Sequence, residues 1–155
     1  MKNIKKAFTM IELVFVIVVL GILSAVAIPK LSAYVEDANI AAGISTVSSI
    51  RTAIASERQK SLILGVIGYP QLLDTGTTGD HQKLFDGNAT IDILQYPIYS
   101  GTDSGDWKKL TDNSGLTINY KYYIGSAKTV IFKYTKLTGV FDCDHTEDNC
   151  RQLAE

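Results

Sequence analysis

The chain has 155 residues, 15 basic and 16 acidic side chains, a net charge of −1 and 46% apolar residues. That balance speaks against a nucleic-acid binder, which usually shows a basic surplus. The apolar residues are too unevenly spread for one uniform globule: positions 8–28 hold a single charge, Glu12, and an ordinary polar and apolar mixture follows Pro29. The part after Pro29, about 125 residues, is long enough for one small core.

Taken as a helix rising 1.5 Å per residue, residues 8–28 span roughly 31 Å, which matches the hydrocarbon core of a bilayer. Lys2, Lys5 and Lys6 precede the run and only Lys30 follows it closely. The positive-inside rule then leaves the N-terminus in the cytoplasm and the rest outside. The same features suit a secretory signal peptide cut after Ala25, Val26 and Ala27, or a plain anchor whose Glu12 reaches the interface. Pro29 close behind that cleavage site and the acid at position 12 count against an export signal. A central acid costs roughly 2.5 kcal/mol or more on insertion, less near the end of a span.

The stretch KKAFTMIELVFVIVVLGILSAVAIPK, residues 5–30, resembles the class III leader and N-terminal helix of type IV pilins and type II secretion pseudopilins. The family usually has Gly where this chain has Ala7, and Leu where it has Met10. The resemblance implies that a prepilin peptidase cuts between Ala7 and Phe8 and N-methylates Phe8. It also implies that Glu12 pairs with the new amine of a neighbouring subunit's Phe8. A buried acid is tolerable when paired, so one carboxylate can set the stagger of a filament, as single polar residues set register in coiled coils. Gly21 and Pro29 weaken the helix and match family positions where the shaft bends or unwinds.

From Leu31 the pattern becomes amphipathic. Ile40, Ile44, Val47, Ile50 and Ile54 fall at helical spacing, with Arg51, Glu57, Arg58 and Lys60 on the outer side. The spacing predicts helix to about Leu64 and a stop at Gly65 and Gly68. Turn formers dominate residues 69–116; TIDIL (90–94) and YPIY (96–99) are the apolar pieces there, and Trp107 is expected in the core. Three strands follow, at 116–124, 129–134 and 137–141, by β-branched and aromatic enrichment. The fold class is α+β: a long N-terminal helix packed on a C-terminal antiparallel meander, as the resemblance implies. The domain plan is leader 1–7, membrane or filament-core helix 8–29, amphipathic helix 30–65, connecting region 66–116, and meander with disulfide loop 117–155.

Two cysteines, Cys143 and Cys150, behind an export-type N-terminus fit an oxidised bridge. Zinc needs four ligands, and Cys143, His145 and Cys150 make three. Asp142, Asp144, Glu147 and Asp148 lie within seven residues. Calcium takes such hard oxygens, although a solvated acidic loop is the plainer reading. No other cofactor is expected. His81 and His145 sit beside no nucleophile, and no P-loop, GxGxxG or HExxH occurs, so no enzyme is expected.

The resemblance implies a filament subunit held in a bacterial inner membrane with its C-terminal domain in the periplasm. Its partners would be copies of itself, other pilins or pseudopilins, the peptidase, and an assembly ATPase with its platform protein. A type II secretion pseudopilin is the favoured form. The alternatives are a pilin for adhesion or motility, a competence pilin using Lys121, Lys128, Lys133 and Lys136 on DNA, and, in another class, a monomeric membrane-anchored periplasmic binding protein.

Overall fold

A computed structural model describes residues 8–87, 93–111 and 115–154. Its first element, α1 (Met10–Ile63), is a single helix of 54 residues. It ends where the sequence says it should. Gly65 takes φ 77°, a left-handed conformation that costs glycine little. The Gly65 N–H donates to Leu62 O and the Val66 N–H to Ser61 O, which together form a Schellman cap.

The chain divides into two compact units, Met1–Val35 and Glu36–Glu155. The described part of the first is helix with its N-terminal entry, and every side chain described there is exposed. The leader, 1–7, lies outside the described residues.

The second unit holds the core. Two short strands, β1 (Lys83–Leu84) and β2 (Ile98–Tyr99), form an antiparallel pair. The main sheet has four antiparallel strands in sequence order: β3 (Trp107–Lys109), β4 (Thr117–Tyr123), β5 (Thr129–Thr135) and β6 (Val140–Cys143). Side chains alternate between faces along a strand, and β4 and β5 alternate buried with less buried positions throughout. The register sets Trp107 opposite Tyr122, Tyr120 opposite Phe132, and Tyr134 opposite Phe141. The inner face is therefore aromatic. Phe132 and Phe141 stack at 5.2 Å, and Phe85 meets Trp107 edge-on at 5.6 Å.

Five expectations need correction. The sheet has four strands rather than three, because Trp107–Lys109, inside the supposed connecting region, pairs with β4. The last strand starts at Val140 and not at Leu137: residues 137–139 turn, with the N–H groups of Thr138 and Gly139 both donating to Thr135 O. The acidic tail is not all loop, since it ends in α2 (Asp148–Ala154), which buries Cys150 and Leu153. The buried stripe of α1 is Gly43, Val47, Ile50, Ile54 and Glu57, whereas Ile44 is exposed. Gly43 takes the inward position because a Cβ there would come within 2.6 Å of Leu153 and 2.7 Å of Tyr122. Glu57, expected outside, is buried and paired with Lys60. Of TIDIL, 90–92 lie outside the described residues; Ile93 is buried.

Polar pins hold helix, loops and sheet together. Asn39 Nδ2 donates to Ile124 O at 2.9 Å, and the Tyr122 hydroxyl donates to Asn39 O at 2.5 Å. Arg51 reaches three acceptors: Phe141 O at 3.0 Å, Ala154 O at 3.3 Å and the Asp142 carboxylate at 2.8 Å. The fully buried Asp74 carboxylate accepts from Lys109 Nζ at 2.6 Å and from the Tyr120 hydroxyl at 2.5 Å. A buried charge survives only with such partners.

Candidate assembly site

The N-terminal segment is built to leave water. From Phe8 to Val35 its large apolar side chains all face outward, Phe8 at 74% exposure. The helix is long and apolar enough to cross a membrane by length and composition. It runs unbroken through Gly21 and Pro29.

Its first turn carries the one acid, Glu12. The Thr9 hydroxyl accepts from the Glu12 N–H at 3.3 Å, and one carboxylate oxygen, Oε2, accepts from the Thr9 N–H at 3.4 Å. The same oxygen accepts from the Thr9 hydroxyl at 3.3 Å. This is a capping box, with Thr9 as N-cap and Glu12 three residues on. It satisfies two orphan N–H groups of the helix start and places the negative charge at the positive end of the helix dipole. The other oxygen, Oε1, has no partner among the described residues. The carboxylate is thus oriented by its own chain and still open to an outside cation. The T-x-x-E spacing that signals the box is written at residues 9–12. Glu12 is therefore a helix cap as well as an acid in an apolar run, a second role not anticipated from the residues alone.

Ala7, the expected residue before the cut, lies outside the described residues; Phe8 is exposed beside the box. At the other end of the chain, Cys143 and Cys150 are disulfide-bonded, joining β6 to α2. Three of the four acids of the tail have separate partners. Asp142 binds Arg51 and faces His145 Nε2 at 3.1 Å. Asp144 accepts from the Thr146 N–H at 2.9 Å and its hydroxyl at 2.7 Å, bonds that lower its pKa. Asp148 pairs with Arg151. No three of these carboxylates converge among the described residues; the one tight ligand-type group is Asp142, His145 and Cys150, and that sulfur is already spent in the disulfide. Lys128 pairs with Glu36, while Lys121 lies 5.9 Å from the Tyr123 ring centre.

Residues 2–28 match the prokaryotic N-terminal methylation motif. A type IV major fimbrial protein FimA of Dichelobacter nodosus is 30% identical over 136 residues, covering 88% of this chain and 78% of the relative. A second FimA of that organism is 32% identical over 133 residues, covering 86% and 76%. A fimbrial protein of the same species is 31% identical over 133 residues, again covering 86% and 76%. No solved structure matches. The similarity runs far past the methylation motif into the sheet unit, behind a helix that exposes its apolar side chains and one capped acid: the chain belongs to the type IV pilin family.

Proposed function

We propose that this chain is a shaft-building subunit of a surface type IV pilus. The observation that carries this is the outward-facing apolar helix with one half-satisfied carboxylate at its start. Such a helix is unstable in water and settles either in lipid or against copies of itself. In the membrane the subunit waits with its N-terminus in the cytoplasm and the sheet unit in the periplasm, as the lysines at 2, 5 and 6 suggest. Cleavage between Ala7 and Phe8 frees an ammonium at Phe8. The open Oε1 of Glu12 then pairs with the ammonium of the next subunit, which removes the cost of two unpaired charges in an oily bundle. The work is mechanical and requires no catalytic group or bound cation in this chain. An assembly ATPase and platform protein supply the energy.

The fimbrial relatives, alike over most of the chain, support a pilus over the type II secretion pseudopilus favoured on sequence. The eight-residue span from Cys143 to Cys150 suits the pseudopilin reading, so the test separates the two. Deleting the chain in its host should abolish surface filaments seen by electron microscopy and leave exoprotein secretion intact. Lost secretion with filaments retained would establish the pseudopilin instead. Mass spectrometry of the native subunit should find N-methyl-Phe8 first; a start at Met1 or Ile28 would refute assembly by this route.

A further inference from the structure

A cleft of about 240 Å³ opens in the sheet unit, between the residues that lead into β1 and the turn from β2 to β3. Its walls are fixed by hydrogen bonds. Ser100 is buried; its hydroxyl donates to Gly79 O and accepts the Gln82 N–H, both at 2.8 Å. The Ser100 carbonyl accepts the His81 N–H at 2.8 Å. His81 sits there at φ 55°, a left-handed backbone that glycine alone adopts freely. Gly101 leaves room for the Asp106 carboxylate, which a Cβ would meet at 2.0 Å. That carboxylate accepts the Asp103 N–H at 3.0 Å, and Asp80 is held by Lys108 at 2.7 Å.

On this fixed frame three lining side chains stay unsatisfied. Tyr99 is 57% exposed, and the His81 ring and the Asp103 carboxylate make no hydrogen bond among the described residues. An aromatic ring beside a free carboxylate and an imidazole matches a sugar: the C–H face of the sugar packs on the ring, and its hydroxyls donate to the carboxylate and bond the imidazole. The volume suits one six-membered ring. Three carboxylates line the cleft, Lys108 is already paired with one of them, and Lys83, across from Tyr99, is not part of the lining. The cleft is therefore negative and repels acidic sugars. Among the described residues its acids and His81 do not come close enough together to share a metal ion. We infer that this cleft binds one neutral pyranose, the terminal ring of a glycan, with Tyr99 against the ring and Asp103 and His81 on its hydroxyls. The inference concerns the sheet unit alone and stands for a pilus or a pseudopilus alike.

The test uses the full-length chain in a detergent with no sugar headgroup, titrated with methyl galactoside, methyl glucoside, the methyl glycoside of N-acetylglucosamine, and N-acetylneuraminic acid. Saturation-transfer NMR should detect at least one of the three neutral glycosides, with a Kd in the millimolar range expected of so small a ligand, and no transfer to the acidic sugar. Tyr99→Ala and Asp103→Ala change only exposed side chains, so the Trp107 fluorescence should stay as in the parent while each variant weakens binding by about ten-fold. Absence of transfer to all three neutral glycosides overturns the inference. So does equal binding of N-acetylneuraminic acid, or an unchanged Kd in either variant.

Discussion

The buried pair of Asp74 and Lys109 gives the sharpest stability prediction. Asp74 is fully buried and the Lys109 side chain is 14% exposed. Replacing Asp74 with Ala leaves the ammonium with Gly76 O alone, at 2.9 Å, and leaves the Tyr120 hydroxyl without its acceptor. Orphaning one member of a buried pair costs about 3–5 kcal/mol, and an unsatisfied hydroxyl about 1–3 kcal/mol if it stays dry. Because the small cavity at residue 74 can admit water to both groups, we expect a total near the lower sum, about 4 kcal/mol. That is a large share of the 5–15 kcal/mol typical of a domain. The triple variant Asp74→Leu, Lys109→Met, Tyr120→Phe removes every polar group together and should recover most of the loss, since apolar replacement of a whole buried pair is often neutral or better. The assay is urea unfolding of the detergent-solubilised full chain at pH 7. It is followed by the fluorescence of Trp107, the single tryptophan, which is buried against this sheet. A midpoint for Asp74→Ala within about 1 kcal/mol of the parent, at equal slope, would refute the reasoning; so would a triple variant no more stable than the single.

Four further outcomes follow from the same structure. Glu12→Gln keeps the acceptor that the capping box needs but removes the charge, so filament yield should drop at least ten-fold with subunit levels unchanged; Thr9→Val, losing only the cap at about 1 kcal/mol, should weaken assembly by roughly five-fold at the same electron-microscopic count. Replacing Cys143 and Cys150 with Ser should cost about 2.5 kcal/mol on the chain-entropy model for so short a loop, read as a shift of the urea midpoint that reductant reproduces in the parent. Burial pushes the Tyr134 hydroxyl up to about 12 and, with Asp74 beside it, the Tyr120 hydroxyl well above 10.0. Both pKa values are raised on folding, so their contribution is complete below the unfolded value near 10 and is lost as pH rises through the folded ones; absorbance at 295 nm should show these two tyrosines ionising only with unfolding, whereas early ionisation would contradict their burial.

The parts of the fold that obey a period were readable in the residues. The apolar run, the stripe at 47, 50 and 54, the alternation of β4 and β5 and the glycine stop at 65 all follow from local rules, and the structure keeps them. What escaped reading depends on distant partners. Nothing in WKK announces a strand until β4 offers it an edge. Gly43 looks like a weak point in a helix until Leu153, 110 positions later, occupies the space its side chain would fill. Glu57 reads as surface because only tertiary packing buries it. At the assembly site Glu12 stood out as the one charge in an apolar run and Phe8 only through the family resemblance; the cap escaped although T-x-x-E is written at 9–12 and a helix start is a purely local structure.

Arg51 suggests how such a subunit bears a pull. Its guanidinium ties the C-terminal quarter of α1 to the last strand and to the end of α2, and the disulfide fastens those two to each other. Tension entering through the helix therefore passes straight to the C-terminal edge of the sheet, bypassing the long segment between Gly65 and Trp107. That segment lies off this load path, so a pull on the helix spares its buried Asp74–Lys109 pair.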